Sequence, residues 1–266
     1  MPSAISLVTL LTDFGDRDHF VASMKGVILG INPQTRIVDL SHRIAPQQIP
    51  DAAYVLKSAY HYFPDGTIHV VVVDPGVGSA RRPLLVSTSR YFFLAPDNGL
   101  LTDILQNELS VEVRQLENRQ YRLDAEGSTF DGRDVFAPAA AWLTRGQAPG
   151  SFGRLIRDAV RLPRQEPGWQ NQTLVGRVVY VDRFGNVISN LTLGHVKDVQ
   201  GVTRRSSVTI RIAGTVIERL TSCYADGAPD VPQALINSNG EVEIFVKDGS
   251  AADVMKVGHG ERIELS

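Results

Sequence analysis

The run Ile68-His69-Val70-Val71-Val72-Val73 constrains this chain more than any other segment. Five of its six residues are β-branched. Such side chains suit a strand, and an unbroken apolar run leaves no polar face for water. The segment is therefore read as a strand buried on both faces, as in a parallel sheet with helices above and below. Its neighbours agree. Ile5–Leu11, Ile37–Leu40, Leu84–Ser87 and Tyr91–Leu94 read as further strands. Asp18–Ile31 repeats apolar residues at helical spacing and stops at Asn32-Pro33. Ile49–Tyr62, Asn98–Leu105 and Asp134–Leu143 read as helices, the last with Pro138 near its first turn, where a missing N–H is tolerated. Strands alternating with helices predict an α/β, Rossmann-like domain with a mostly parallel sheet over residues 1–162.

The pattern changes at 163–172, where Pro163, Pro167 and Gly168 read as a linker. Beyond it, over 173–266, apolar runs are short and broken by Gly, Asn and Asp, with no convincing long helix. They are Leu174–Val181, Val208–Ile212, Val216–Leu220, Leu235–Asn237, Val242–Val246 and Arg262–Leu265. These predict a small all-β, barrel-like domain. The chain of 266 residues has room for both, and 43% hydrophobic residues can build two cores.

A formal charge of -2 lacks the cationic excess that nucleic-acid binding requires, so no nucleic-acid partner is expected. The single cysteine, Cys223, excludes an intrachain disulfide framework and a cysteine-rich zinc site. The histidines lack metal-ligand spacing, so no metal is expected. The start carries no signal-peptide pattern and no stretch is long enough to cross a bilayer, so a cytoplasmic protein without membrane association is expected.

In open α/β sheets, ligands gather at the carboxyl ends of strands. Two loops qualify. Thr12-Asp13-Phe14-Gly15-Asp16-Arg17-Asp18 sets three acids between a strand and a helix. Asp18 can cap the helix, whereas Asp13 lies too early for that and can accept hydrogen bonds from a ribose diol. The Asp-Phe-Gly triplet lacks the glycine-rich loop and chain position of a kinase. The second loop, Asp74-Pro75-Gly76-Val77-Gly78-Ser79-Ala80-Arg81-Arg82, matches neither a dinucleotide fingerprint nor a P-loop. It is either a tight turn with exposed arginines or a pairing of Asp74 with Arg81 across a small cavity. In Ser128–Asp134, Asp134 fits the start of a helix, and Asp131, beside Gly132, is free to point elsewhere. Asp182–Asn186 by itself reads as a turn.

Together these segments resemble the S-adenosyl-L-methionine (SAM) hydroxide adenosyltransferase family, relatives of the fluorinases and chlorinases. The resemblance rests on Thr12–Gly15, Met24–Ile28, Val73–Gly78, Ala95–Leu101, Gly132–Pro138, Asp182–Asn186, Tyr224–Asp226 and Asn237–Gly240. It implies hydrolysis of SAM to adenosine and methionine, with SAM as substrate and no cofactor. It also implies a homotrimer with sites between subunits. By carry-over, Asp74, Arg81 and Asp131 surround the attacking water, Asp131 standing where the family pattern has histidine. Asp13 would hold the ribose. Asn186, Tyr224 and the backbone from Val246 to Asp248 would serve the adenine, and Phe184 would belong to the substrate site. Asp18, Asp182 and Ser238 would face the methionine part. Two neighbouring acids are expected to raise one carboxyl pKa unless Arg81 or Arg133 neutralises them. Asn239 stands where halogenating relatives carry an arginine, which disfavours a halogenase. A non-catalytic adenosine- or SAM-binding module is the other alternative.

Overall fold

The computed structural model describes residues 6–163 and 166–266. Ile5 of the first expected strand, and Arg164 and Gln165 of the expected linker, lie outside the described residues. The chain forms two compact units, 1–162 and 163–266.

The first unit begins with β1 (Leu7–Thr12), α1 (Phe20–Ile31), β2 (Arg36–Ser41), α2 (Ile49–Ala59) and β3 (Ile68–Val72). It continues with β4 (Pro83–Ser87), β5 (Phe92–Pro96), α3 (Thr102–Asn107) and β6 (Glu112–Gln115). A π-helical turn (Gly132–Phe136) runs into α4 (Ala137–Thr144), and β7 (Leu155–Ile156) follows. The sheet order is β2-β1-β3-β5-β4-β6-β7.

β3 is buried along its whole length and pairs in parallel with β1 on one side and β5 on the other. Its side chains alternate between two cores. Ile68, Val70 and Val72 join Met24 and Ile28 of α1 and the alanines of α4. Val71 and the following Val73 join Ala52 and Leu56 of α2 and Ile104 of α3. The β-branched run thus requires helices on both faces, because neither face has a polar row to leave in water. The parallel order holds for β2, β1, β3 and β5. From β4 onward the pairings are antiparallel, so the sheet is mixed. A short connection from Ser87 to Phe92 makes β4 and β5 a hairpin, which the apolar pattern alone did not distinguish from a crossover.

The second unit holds β8 (Gly168–Gln170), β9 (Thr173–Val181), β10 (Val187–Thr192), α5 (Leu193–Thr203), β11 (Ile210–Ile212) and β12 (Thr215–Ile217). Then come β13 (Pro232–Ile236), β14 (Glu241–Val246), α6 (Ala251–Met255) and β15 (Arg262–Leu265). The order β12-β11-β15-β9-β10-β14-β13 is antiparallel, and a bridge from Leu220 to Ala234 draws the outer strands together into a nearly closed barrel. β8 lies within 163–172 and pairs with β9, so that stretch is not wholly linker. α5 corrects the reading of this unit as helix-free. Its sequence alternates valines and glycines with polar residues and carries little helical signal. A capping box starts it, with Thr192 and His195 exchanging side-chain and backbone bonds. β10 was missed because Ser189 and Asn190 interrupt its apolar run. Ser189 donates to the Val242 carbonyl and Asn190 accepts from Arg177 N, so both polar groups are satisfied within the barrel.

His69 is the polar member of the central run, fully buried on β3. Its ring stacks on Phe93 at 5.0 Å, and Nδ1 lies 2.8 Å from Thr9 Oγ1. Burial lowers its pKa to about 3. The unfolded chain, with an ordinary histidine near ~6.5, therefore binds the proton first. The contribution of this residue to stability is complete above ~6.5 and falls by up to about 1.4 kcal/mol per pH unit toward 3. Urea unfolding across that range is expected to show a shallower acid decline for His69→Phe than for the wild type.

Candidate functional site

The chain order places the topological switch of the sheet between β1 and β3. From β1 the chain passes to β2 on one side, then returns to β3 on the other. The connections diverge there, and in open α/β sheets ligands gather beyond the carboxyl ends of strands at such a point. Thr12 of β1 is in register with Val72 of β3, so Asp13 and Asp74 emerge next to one another at that edge.

The loop after β3 folds back through successive turns. Val77 N donates to the Asp74 carbonyl, Ser79 N to the Gly76 carbonyl, and Arg81 N to Ser79 Oγ. This returns Arg81 to Asp74, with Nε donating to Oδ1 at 3.0 Å. Arg81 Nη2 also contacts Asp74 Oδ2, and it donates to Asp131 Oδ2 at 2.5 Å. The three side chains are 5% (Asp74), 11% (Arg81) and 19% (Asp131) exposed. Arg81 is thus not one of the exposed arginines of a simple turn. Burial works against its charge, yet the hydrogen bonds it donates to Asp74 and Asp131 outweigh that and raise its pKa. Oδ2 of Asp74 is buried and, beyond the ion contact, has no aligned hydrogen-bond donor.

Asp131 precedes the π-helical turn, a backbone form that recurs at functional sites. Its position depends on Gly132. A Cβ there would lie 3.1 Å from Met24 Sδ, 3.1 Å from Phe130 and 3.3 Å from Phe14. Phe14, Phe20 and Phe130 pack their rings around the same point. Arg133 does not share the neutralising work. It forks onto Asp134 at 2.6 and 3.0 Å; among the described residues it is Arg81 that bridges Asp74 and Asp131.

Asp13 is half-buried and accepts from Gln47 N at 2.8 Å. Asp18 is exposed and does not cap α1: the cap position is His19, and no side chain makes the cap bond. The capping reading of Asp18 is therefore corrected. The helix starts two residues later than its apolar pattern indicated.

In the second unit, Asp182 organises the turn after β9. Its Oδ1 accepts from Phe184 N and Asn186 N, and its Oδ2 accepts from Asn186 Nδ2. Gly185 has φ +80°, and a Cβ on it would run into Ser250. Phe184 is left 76% exposed at the tip, whereas Asn186 is buried. Ser238 is exposed in a turn held by Asn237, whose Oδ1 accepts from Asn239 N and Glu241 N. Val246 closes a bridge with Gly249 around Asp248, at φ +58°. Tyr224 packs its ring edge-on to Phe245 and donates its hydroxyl to Glu243 Oε1 at 2.6 Å.

Glu243 was missed by sequence reading. It lies within the run Val242–Val246, which was read only as a strand, and just 4% of it is exposed. Burial pushes its carboxyl up, against the pull of the bonds from Tyr224 and Asn237. The available signal was an acid on either side of Val242, Glu241 and Glu243, in an otherwise apolar strand. Among the described residues, no group of three or more His, Cys, Asp or Glu is placed to hold a metal ion. No described helix is long and apolar enough to cross a membrane.

Residues 8–153 match the model of the SAM hydroxide adenosyltransferase N-terminal domain, and 176–264 that of the C-terminal domain of the same family. The chain is 33% identical to a Salinispora tropica protein named (R)-S-adenosyl-L-methionine hydrolase, over 97% of each chain. A protein of that name from Thermus thermophilus is 35% identical, over 97% of this chain and 98% of the relative. A fluorinase from an Actinoplanes species is 26% identical over 88% of each. A crystal structure of an uncharacterized conserved protein from Thermotoga maritima superposes with a TM-score of 0.88 at 32% identity, covering 97% of this chain and 99% of that one.

The ion cluster predicts a large effect on folding. Removing its cation leaves two mostly buried carboxylates facing one another. Arg81→Met is expected to cost about 3 to 5 kcal/mol in urea unfolding, and adding Asp131→Asn to recover part of that loss.

Proposed function

The chain belongs to the SAM hydroxide adenosyltransferase family, and from that premise we propose that it hydrolyses SAM to adenosine and L-methionine. The observation that carries this reading is the buried Asp74–Arg81–Asp131 cluster at the switch point of the sheet. It supplies carboxylate acceptors for a water proton and a fixed positive charge.

In the proposed reaction, a water oxygen attacks ribose C5′ in line with the departing sulfur. The C5′–O bond forms and the C5′–S bond breaks. The sulfur keeps the electron pair of the broken bond and becomes the neutral thioether of methionine. One water proton remains on the adenosine hydroxyl, and the other passes to a carboxylate and then to solvent. As the water gains hydroxide character, its charge is drawn to the sulfonium, an attraction that a dehydrated pocket strengthens. Asp74 is the proposed base, a carboxylate that Arg81 fixes in place and whose Oδ2, beyond the ion contact with Arg81, has no aligned hydrogen-bond donor. Arg81 holds both acids in one geometry and favours hydroxide character nearby. Asp131 occupies the family's histidine position and orients the water.

Asp13 is assigned to the ribose hydroxyls. Tyr224, Asn186 and the backbone from Val246 to Asp248 are assigned to the adenine, with Phe184 in the substrate site and Asp18, Asp182 and Ser238 toward methionine. The names of the relatives further support the (R) configuration at sulfur as the preferred substrate. A halogenase reading is disfavoured, because two carboxylates flank Arg81 and repel a halide. The proposed assembly is a homotrimer, which light scattering would report at three times the 29.1 kDa chain mass. The proposed location is the cytoplasm, where the exposed Cys223 would stay reduced.

Adenosine release from each SAM epimer, with and without chloride and fluoride, tests this function. The wild type is expected to release adenosine from the (R) epimer with no halide requirement. Asp74→Asn should lower kcat by about 10²- to 10⁴-fold, and Asp131→Asn by about tenfold or more. Equal rates for wild type and Asp131→Asn would remove Asp131 from the mechanism. SAM binding without adenosine release would favour the binding module. Halide-dependent 5′-halo-5′-deoxyadenosine would favour the halogenase.

A further inference from the structure

The motif Met24–Ile28 has no place in the reaction as proposed, yet Met24 packs against the site and Lys25 begins a chain of contacts that leads back to it. Met24 packs where Gly132 turns beside Asp131. Lys25 points the other way, and its Nζ donates to Asp39 Oδ2 at 2.6 Å. Asp39 lies on β2, and its Oδ1 faces His42 Nε2 at 3.0 Å. His42 Nδ1 lies 2.9 Å from Thr12 Oγ1, and Thr12 is the last residue of β1, directly before Asp13.

The chain of contacts continues into the loop. Phe14 N donates to Thr12 Oγ1 at 3.2 Å, and Gly15 N donates to the His42 carbonyl at 2.7 Å. Gln47 N, further along the segment that His42 begins, donates to Asp13 Oδ2. His42 therefore grips residues on both sides of Asp13, with its ring on Thr12 and its carbonyl on Gly15. The His42 side chain is 12% exposed, and Thr12 is fully buried. Burial tends to raise the Asp39 pKa, but hydrogen bonds from Lys25 and His42 lower it, so the anchor stays anionic.

A Thr–His–Asp array invites comparison with a nucleophile triad, but the geometry excludes that role here. Thr12 Oγ1 is buried and already occupied by Phe14 N and the imidazole. His42 Nε2 is buried 3.0 Å from Asp39 Oδ1 without an aligned hydrogen bond, and when Nδ1 accepts the Thr12 hydroxyl hydrogen bond, an oxygen lone pair is left for Phe14 N. The array thus orders backbone.

We propose that His42 is a positioning residue for Asp13, held through Asp39 by Lys25, and that it sets how strongly the protein distinguishes a nucleoside with ribose hydroxyls from one without them. The proposal rests on the assignment of Asp13 to the ribose. A carboxylate that accepts two hydroxyl bonds must be aimed closely, and a loose strand end would weaken both bonds while leaving base contacts alone.

The test is calorimetric binding of adenosine and of 2′,3′-dideoxyadenosine to the full-length protein and its variants. The wild type is expected to prefer adenosine by about tenfold or more, as hydrogen bonds to a charged group allow. Asp13→Ala should abolish the preference. His42→Ala should reduce it to about threefold or less while changing dideoxyadenosine binding by less than about twofold, and His42→Asn, whose amide can replace Nδ1, should restore most of it. If His42→Ala does not fold, Asp39→Asn serves in its place, with a smaller loss of preference expected. An unchanged preference in a folded His42→Ala or Asp39→Asn protein, beside a lost preference in Asp13→Ala, would overturn this inference alone. Equal weakening of both ligands in His42→Ala would reduce His42 to a general structural role and also overturn it. A wild type that binds both nucleosides equally would overturn the assignment of Asp13 to the ribose, and the inference with it.

Discussion

The burial of β3 on both faces governs the first unit. A strand of β-branched residues with no polar row must be covered above and below, and parallel neighbours with helical crossovers supply both layers. β1 and β5 flank it, α1 and α4 cover one face, and α2 and α3 cover the other. Because β2 lies beyond β1, the chain reverses direction across the sheet between β1 and β3. The switch point at their carboxyl ends follows from the same packing that hides the valines. Core and site are thus one construction.

That construction also accounts for the electrostatics. Asp74 follows a strand buried along its whole length, so its carboxylate is drawn away from water and must be matched. Arg81 returns through a turn-rich loop to match it, and Asp131 arrives from a π-helical turn at a distant point in the sequence. Arg81 bridges the two carboxylates, and the partly buried Arg122 guanidinium interacts with Asp131 as well. The two carboxylates suit the removal of a proton from water and oppose the approach of a halide.

The second unit solves a different problem with the same economy of polar groups. Its barrel leaves short loops that carry Asp182, Tyr224 and the turn at Asn237. Each is tied by side-chain bonds to backbone or to a buried partner. Glu243 shows the consequence. A carboxylate placed under Tyr224 fixes the ring at the expense of its own hydration, and burial raises its pKa accordingly.

Much of this was legible in the sequence. Apolar runs located most of the strands, Asn32-Pro33 marked the end of α1, and motif order identified the family. Asp13, Asp74, Arg81 and Asp131 stood out as charged residues in loops beside predicted strands and helices, and the resemblance supplied their expected roles. Tertiary structure alone decided that Arg81 joins both acids while Arg133 turns to Asp134, that β4 and β5 form a hairpin, and that α5 forms at all. It alone decided that His42 reaches Thr12 and that Glu243 is buried. Periodicity reports which face of a local element is apolar, a property of neighbours in the chain. An ion pair between residues 50 positions apart depends on where loops close in space, and that distance is not written in linear spacing.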